Sequence, residues 1–224
     1  PPPQRSSSSS SAQESPKPTP NTAPSGDSSL KQNVKEGEDG QFLFIGDDIA
    51  IAQTEYGKVQ GYLLNHVYTF LGVPYGADTS GKNRFMPPQK PEPWTDVRPA
   101  VFYCYTAPQR MENRWPNNYG TFADHWNYWD VSEDCLYLNV WTPGIADGKK
   151  RPVLVWLHGG GFTNGSGIEQ DGYHGENISR EGDIVFCSIN HRLGPIGFSD
   201  LSGVGGEAYK DSGNVGMLDI AMGT

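Results

Sequence analysis

The spacing of apolar and polar positions predicts short strands in the first ordered part of the chain. Order is expected from about Gln41 onward, with strands at 42–45, 49–54 and 58–64. Tyr56 and Gly57 stand between the last two of these strands, so we expect a tight turn that joins them into an antiparallel hairpin. Prolines crowd the segment that follows, and residues 65–100 are therefore predicted to form an ordered but irregular crossing.

Continuous apolar runs dominate the second half of the chain. The elements predicted there are strands at 136–141, 153–157 and 184–189, and helices at 175–181 and from about Gly213 onward. Asp211 or Ser212 is the expected cap of the last helix. The run at 153–157 reads VLVWL, and an unbroken apolar run of this length is typical of a strand buried on both faces of a parallel sheet. Strands and helices in alternation predict an α/β fold.

The first 40 residues differ from the rest of the chain. Serine, proline and charged residues fill this segment, and large apolar side chains are almost absent. Such a segment cannot bury enough surface to offset its ordering entropy, so residues 1–40 are predicted to be disordered. A plain flexible tail is the favoured interpretation. A spacer to a membrane anchor or second module, or an O-glycosylated stalk, is the alternative.

Composition narrows the classes of partner. The 224 residues, 35% of them hydrophobic, suffice for one sizeable core or two small ones. A net charge of −9 argues against nucleic acid as a partner, because phosphate binding needs clustered Lys and Arg. No apolar run is long enough to predict a transmembrane segment, and no leader sequence is recognisable at the amino end. No ligand cluster has metal spacing, so neither metal nor organic cofactor is expected.

The three cysteines allow one pair. Cys187 lies inside an apolar run and is most simply a small buried hydrophobe. Cys104 and Cys135 remain as a candidate disulfide, which would indicate an oxidising compartment and a secreted, periplasmic or cell-surface protein.

The segment 101–130 is rich in aromatic residues, among them Trp126 and Trp129. A loop of this composition forms either a binding wall or a packed cover over the core, and the sequence favours neither.

Three consecutive glycines, Gly159 to Gly161, follow the strand at 153–157. Glycine repeated at the carboxyl end of a strand indicates a sharp bend or a close approach of the backbone. Loops at this edge of an open α/β sheet carry ligand sites, and bare backbone N–H groups there can hold an oxyanion. A glycine-rich turn without chemistry is the alternative interpretation.

Five stretches together resemble the type-B carboxylesterase and cholinesterase family of α/β-hydrolases. They are FLGVPY at 70–75, SEDCLYLNVW at 132–141, HGGGF at 158–162, NHRLGPIGF at 190–198 and GNVGMLD at 213–219. HGGG is itself a known lipase and esterase motif for part of the oxyanion hole. The resemblance covers about residues 48–222. It implies an α/β-hydrolase sheet, mainly parallel, with an antiparallel amino-terminal hairpin.

The resemblance also assigns roles to individual residues. Gly160 and Gly161 correspond to the oxyanion-hole donors, while Phe162, Trp126 and Trp129 correspond to positions that line the substrate gorge. Glu133 and Arg192 are implied to form a structural ion pair. The family's first disulfide implies the bridge Cys104–Cys135, although here Ala107, rather than a cysteine, directly precedes Pro108 and Gln109.

One motif of the family has no counterpart in this sequence. A Gly-x-Ser-x-Gly nucleophile elbow is expected beyond Leu218, followed by an acid and a histidine, and none of them is present. Residues 41–224 are therefore predicted to be the amino-terminal part of a carboxylic ester hydrolase that acts on small-molecule esters. The remainder of the domain, on the same polypeptide or on a second chain, would be its partner, and the segment alone would be inactive. The alternative is a non-catalytic adhesion or scaffold protein on the same fold.

Overall fold

The computed structural model describes residues 42–110 and 130–224, and nine strands and four α-helices build the fold in those two ranges. The strands are β1 (Leu43–Phe44), β2 (Ile51–Gln53), β3 (Lys58–Gln60), β4 (Tyr62–Leu64), β5 (Val67–Pro74), β6 (Arg98–Pro99), β7 (Tyr137–Thr142), β8 (Val153–Leu157) and β9 (Val185–Ile189). The helices are α1 (Glu176–Gly182), α2 (Gly194–Phe198), α3 (Ser202–Gly205) and α4 (Val215–Gly223). The tail at 1–40 and the tryptophans at 126 and 129 lie outside the described residues.

Six strands form the main sheet, in the order β1-β4-β5-β7-β9-β8. Only β8 and β9 run parallel, and each of the other four neighbouring pairs is antiparallel. A small second sheet has the order β2-β3-β6. The prediction of a mainly parallel sheet is therefore wrong for the described residues. The amino-terminal strands continue as a meander through β5 and β7, and the one parallel pair of the main sheet, β8 with β9, requires the crossover through α1.

The predicted hairpin is present, but its second strand is divided. Ile51 to Gln53 pair with Lys58 to Gln60 as expected. The chain then leaves that sheet at Gly61 and enters the main sheet as β4. A Cβ at Gly61 would collide with the carbonyl group of Thr69, so this change of sheet requires glycine.

The sequence patterns predicted neither β5, the central strand of the amino-terminal half, nor the short strand β6. β5 spans eight residues, all of them buried, inside a stretch expected to be an irregular crossing. Gly72, at φ +68°, produces a bulge between Phe70 and Val73. The Asn139 side chain accepts a hydrogen bond from the Gly72 N–H at 2.9 Å, so the bulged backbone remains satisfied in the core.

Apolar side chains are buried on both faces of the sheet. One cluster lies beneath α4 and includes Leu136, Ile189, Leu193 and Ile220. Others lie around β5, with Tyr68, Phe70 and Val73 in one and Val67, Leu71, Trp141 and Phe186 in another. These clusters fix β7 and β9 from both sides.

Strand β8 forms where it was predicted but is not buried as predicted. It lies at the edge of the sheet with β9 as its neighbour, and none of its five residues is buried. Val153 is 63% exposed and Leu157 is 44% exposed. Among the described residues, this apolar edge strand has no neighbouring strand on its outer side and no layer that covers it.

The last helix begins at Val215, preceded by a 3₁₀ turn at Ser212–Asn214. Neither Asp211 nor Asn214 makes a side-chain capping bond, and the Ser212 hydroxyl instead accepts a hydrogen bond from the Leu201 N–H. In the two described ranges, no helix combines the length and the apolar character that crossing a membrane requires.

Candidate active-site loop

The glycine loop starts at the carboxyl end of β8, where the chain turns sharply. Gly160 and Gly161 have φ values of +118° and +61°, and Phe162 follows at +60°. These values lie in the region that favours glycine, so two of the three glycines are needed for backbone conformation. Gly159 has no such requirement.

A tight turn closes the loop over Gly160. Its carbonyl oxygen accepts hydrogen bonds from the Thr163 N–H, the Asn164 N–H and the Thr163 hydroxyl at 3.2, 3.3 and 2.9 Å. A Cβ at Gly160 would collide with the carbonyl oxygen of Asn164. At Gly161 a Cβ would meet nothing within 4 Å, so the positive φ alone restricts that position.

The N–H groups of Gly160 and Gly161 have no hydrogen-bond acceptor among the described residues. Both glycines are exposed, and neither N–H donates a hydrogen bond within residues 42–110 and 130–224. Two adjacent donors of this kind at the end of a parallel strand are suited to an oxygen that carries negative charge.

Side-chain amides anchor the far half of the loop. Gln109 Nε2 donates to the Gly165 carbonyl at 2.8 Å, and the Gly165 N–H donates to Gln109 Oε1 at 2.7 Å. Asn190 Oδ1 accepts from the Gly167 N–H at 2.8 Å, while its Nδ2 donates to the Tyr105 carbonyl at 3.0 Å. The loop is therefore tied both to the segment after β9 and to the segment before residue 111.

Two imidazoles lie against each other at the start of the loop. The rings of His158 and His191 stack with their centroids 4.9 Å apart and their planes inclined by 10°. His191 is only 2% exposed, and burial lowers the pKa of its imidazole. Its Nδ1 lies 3.0 Å from the Arg192 carbonyl oxygen, which only accepts, so Nδ1 carries the proton of the neutral ring.

Phe162 closes the glycine motif and is 50% exposed. Its ring lies 5.2 Å from that of Phe198 and 6.2 Å from that of His191. The exposed part of the ring borders the glycines, and its role in substrate binding stays a prediction. The same holds for Trp126 and Trp129.

The expected ion pair between Glu133 and Arg192 is wrong. Arg192 binds Asp219 of α4 instead, through Nε–Oδ2 at 2.8 Å and Nη2–Oδ1 at 2.6 Å, with both side chains fully buried. Glu133 lies at the rim of the sheet and accepts from Arg84 Nε at 2.7 Å. A buried guanidinium needs a partner within the core, and the helix supplies it.

The expected disulfide between Cys104 and Cys135 is also absent, since all three cysteines are free thiols. Cys135 is buried in the core beneath α4, whereas the Cys104 thiol lies 3.6 Å from the Gly72 carbonyl at the bulge of β5. Burial raises the pKa of both thiols, and that of Cys187 to about 12, so each stays protonated. The cysteines give no argument for an oxidising compartment.

Three residues of this region were not found from the sequence. Asp219 was quoted in a motif but given no role, although an acid amid the apolar residues of α4 is a signal for a buried partner. Asn190 was likewise quoted in a motif and Gln109 was named beside Pro108, both without a role, because no periodicity marks a side chain that binds a distant backbone. In the described residues, no group of three or more His, Cys, Asp or Glu is arranged to hold a metal ion.

Comparison with known proteins gives a consistent result. The carboxylesterase family profile matches residues 48–223. Para-nitrobenzyl esterase of Bacillus subtilis (strain 168) is 40% identical over 174 residues, covering 76% of this chain and 32% of the relative. Acetylcholinesterase of Electrophorus electricus is 38% identical over 192 residues, covering 80% of this chain and 29% of the relative.

The fold leads to the same group of proteins. The structure of an esterase from Clostridium hathewayi superposes with a TM-score of 0.72 at 39% identity, covering 81% of this chain and 34% of that one. The chain thus has an α/β-hydrolase-like fold and spans about a third of the length of the proteins it matches.

Proposed function

The chain belongs to the carboxylesterase family, and on this premise we propose that it is the amino-terminal part of a serine carboxylic ester hydrolase. Gly160 and Gly161 supply two donors of the oxyanion hole, and Phe162 borders the site. The substrate is a small-molecule ester. The serine, the acid and the histidine of the reaction lie on further chain that completes the domain.

The conformation of the glycine loop is the observation that carries this proposal. When an ester carbonyl becomes tetrahedral, negative charge develops on its oxygen, and fixed N–H donors stabilise that state more than the ground state. The turn at Gly160 holds its carbonyl oxygen through three hydrogen bonds and leaves the N–H groups of Gly160 and Gly161 without an internal acceptor. Such pre-formed donors need no reorganisation during the reaction.

The exposed edge of β8 supports the second half of the proposal. The family relatives are about three times as long as the part matched here. The glycine loop, which we also call the oxyanion loop, starts from β8, and β8 is the strand of the parallel pair β8–β9 whose outer side is open. In the proposed enzyme, further chain pairs with β8, covers Val153 and Leu157, and brings the nucleophilic serine to the same edge of the sheet.

The reaction then follows acyl transfer at a serine. The serine hydroxyl attacks the ester carbonyl while the histidine takes its proton, and the same histidine protonates the leaving alcohol. Water repeats these steps on the acyl-enzyme. Gly160 and Gly161 hold the oxyanion in both halves of the reaction.

Single glycine variants of the complete enzyme test the proposed role. G160A would open the turn through the collision with Asn164, and G161A would strain a backbone at φ +61°. Each should lower kcat for p-nitrophenyl acetate by about 10²- to 10³-fold, the usual cost of losing one oxyanion donor.

Gly148 provides the matched control. It has φ +74°, a Cβ there would meet nothing within 4 Å, and it lies in the turn before β8, away from the loop. G148A should carry similar backbone strain and leave kcat within about twofold. Folded G160A and G161A variants within tenfold of the parent would refute the assignment, and a complete protein without ester hydrolysis would point to a binding module instead.

A further inference from the structure

We propose that His191 is a positioning residue for the oxyanion loop, which it holds through its neutral ring stacked on His158. This inference rests on the proposed function, because it explains how the donors of Gly160 and Gly161 stay in place. His191 touches neither glycine and is given no part in proton transfer.

The stack fixes both the position and the tilt of the His158 ring at the start of the loop. Its planes are inclined by 10°, whereas the other ring contacts in the described residues are inclined by 51–66°. A near-parallel overlap sets both the height and the tilt of the His158 ring. His158 directly precedes Gly159, so its ring and backbone determine where the three glycines begin.

The same segment also holds the end of the glycine motif. The Gly194 N–H donates to the Phe162 carbonyl at 2.7 Å, and the Phe162 ring lies 6.2 Å from that of His191. Asn190 adds the bond to Gly167. Segment 190–194 therefore contacts the loop both before and after the three glycines. His191 provides the contact before them, at His158, where the loop leaves β8.

The charge of His191 matters because of what surrounds it. The His158 ring faces His191 from the loop. The carboxylate of Asp219 in α4, which is paired with Arg192, attracts a proton on His191 electrostatically. Burial outweighs the attraction to Asp219, so the pKa lies below its ordinary value of about 6.5. A proton on His191 would place a buried cation against a second imidazole.

The sign of the pH dependence follows from this shift. Above about pH 6.5 the ring is neutral in both the folded and the unfolded chain. As the pH falls toward the lowered folded-state value, the unfolded chain takes up the proton first, and the folded loop loses stability. Acidification should therefore loosen the loop between about pH 6.5 and the folded-state pKa.

Three variants of the complete protein test this role at pH 8. H191A removes the stack and should lower kcat by about 10- to 100-fold, the scale of a misplacement of about 1 Å, with little change in KM. H191F keeps an aromatic face and should recover activity to within about threefold. H174A removes an exposed imidazole that packs on Trp141, outside the loop, and should leave kcat unchanged.

Hydrogen exchange of peptide 158–165 gives a readout that does not depend on activity. H191A should lower its protection factors at least tenfold, whereas H191F and H174A should not. In the parent, protection should fall as the pH drops below about 6.5, and H191F should abolish that fall.

The outcomes separate the two proposals. A parent without ester hydrolysis overturns the proposed function, while the exchange data still decide the role of His191. An active parent whose H191A variant matches it in kcat and in loop protection overturns the inference. So does an acid-induced loss of protection that persists in H191F.

Discussion

Strands β5 and β8 of the main sheet show opposite relations between sequence and burial. β8 reads VLVWL and is wholly apolar, yet none of its residues is buried. β5 reads VYTFLGVP and contains Thr69, Gly72 and Pro74, yet all eight residues are buried. The burial of a strand is therefore set by its neighbours, and the hydropathy of its side chains indicates only whether the strand requires burial.

The neighbours explain the difference. β5 pairs with β4 on one side and β7 on the other, and hydrophobic clusters cover both of its faces. β8 pairs with β9 and leaves Val153, Leu154 and Leu157 exposed at the edge. An open edge with apolar side chains is a site for pairing with further chain. The proposed oxyanion loop leaves the sheet from this same strand.

Breaking the buried ion pair should have the largest effect on stability, since it would open the covered side of the sheet. D219A leaves the Arg192 guanidinium unpaired in the core and should lower the free energy of unfolding by about 3–5 kcal/mol. Urea denaturation of the complete protein measures this. E133Q is the control, because its partner Arg84 is exposed, and it should barely move the midpoint. Equal midpoints for D219A and E133Q would contradict the account.

A matched pair of valines sharpens the comparison between the two strands. V73A in β5 removes two methyl groups from a site that is 8% exposed and should cost about 2 kcal/mol. If further chain covers β8 in the complete protein, V153A should cost more than about 1 kcal/mol, although Val153 is 63% exposed here. A cost within about 0.5 kcal/mol, typical of surface positions, would show that β8 stays open.

The sequence predicted elements that have an uninterrupted pattern. The apolar runs gave β7, β8 and β9 almost to the residue, and the periodic segments gave α1 and α4. β5 was missed because Gly72 and Pro74 look like loop residues. In the structure, Gly72 produces a bulge within the strand, and the Asn139 side chain satisfies its backbone. Local pattern does not reveal a bond supplied by a strand 67 residues away.

The site was predictable to the extent that it is local. The glycine run placed the loop correctly, and the positive φ values at Gly160 and Gly161 agree with the reason given for glycine there. Partners at long range were not predictable: Arg192 pairs with Asp219 rather than Glu133, and the cysteines are free thiols. Each of those contacts depends on how helices and loops pack on the sheet.

Amide hydrogen exchange across β8 in the complete protein tests the central claim most directly. In an edge strand, alternate N–H groups point away from the only neighbour and exchange with water. The account predicts that the amides of Val153–Leu157 are all protected to the same degree as those of residues 67–73 in β5, because further chain pairs with the outer side of β8. Rapid exchange at alternate β8 positions, with β5 protected, would show that β8 is a true edge and would contradict the proposed completion of the site.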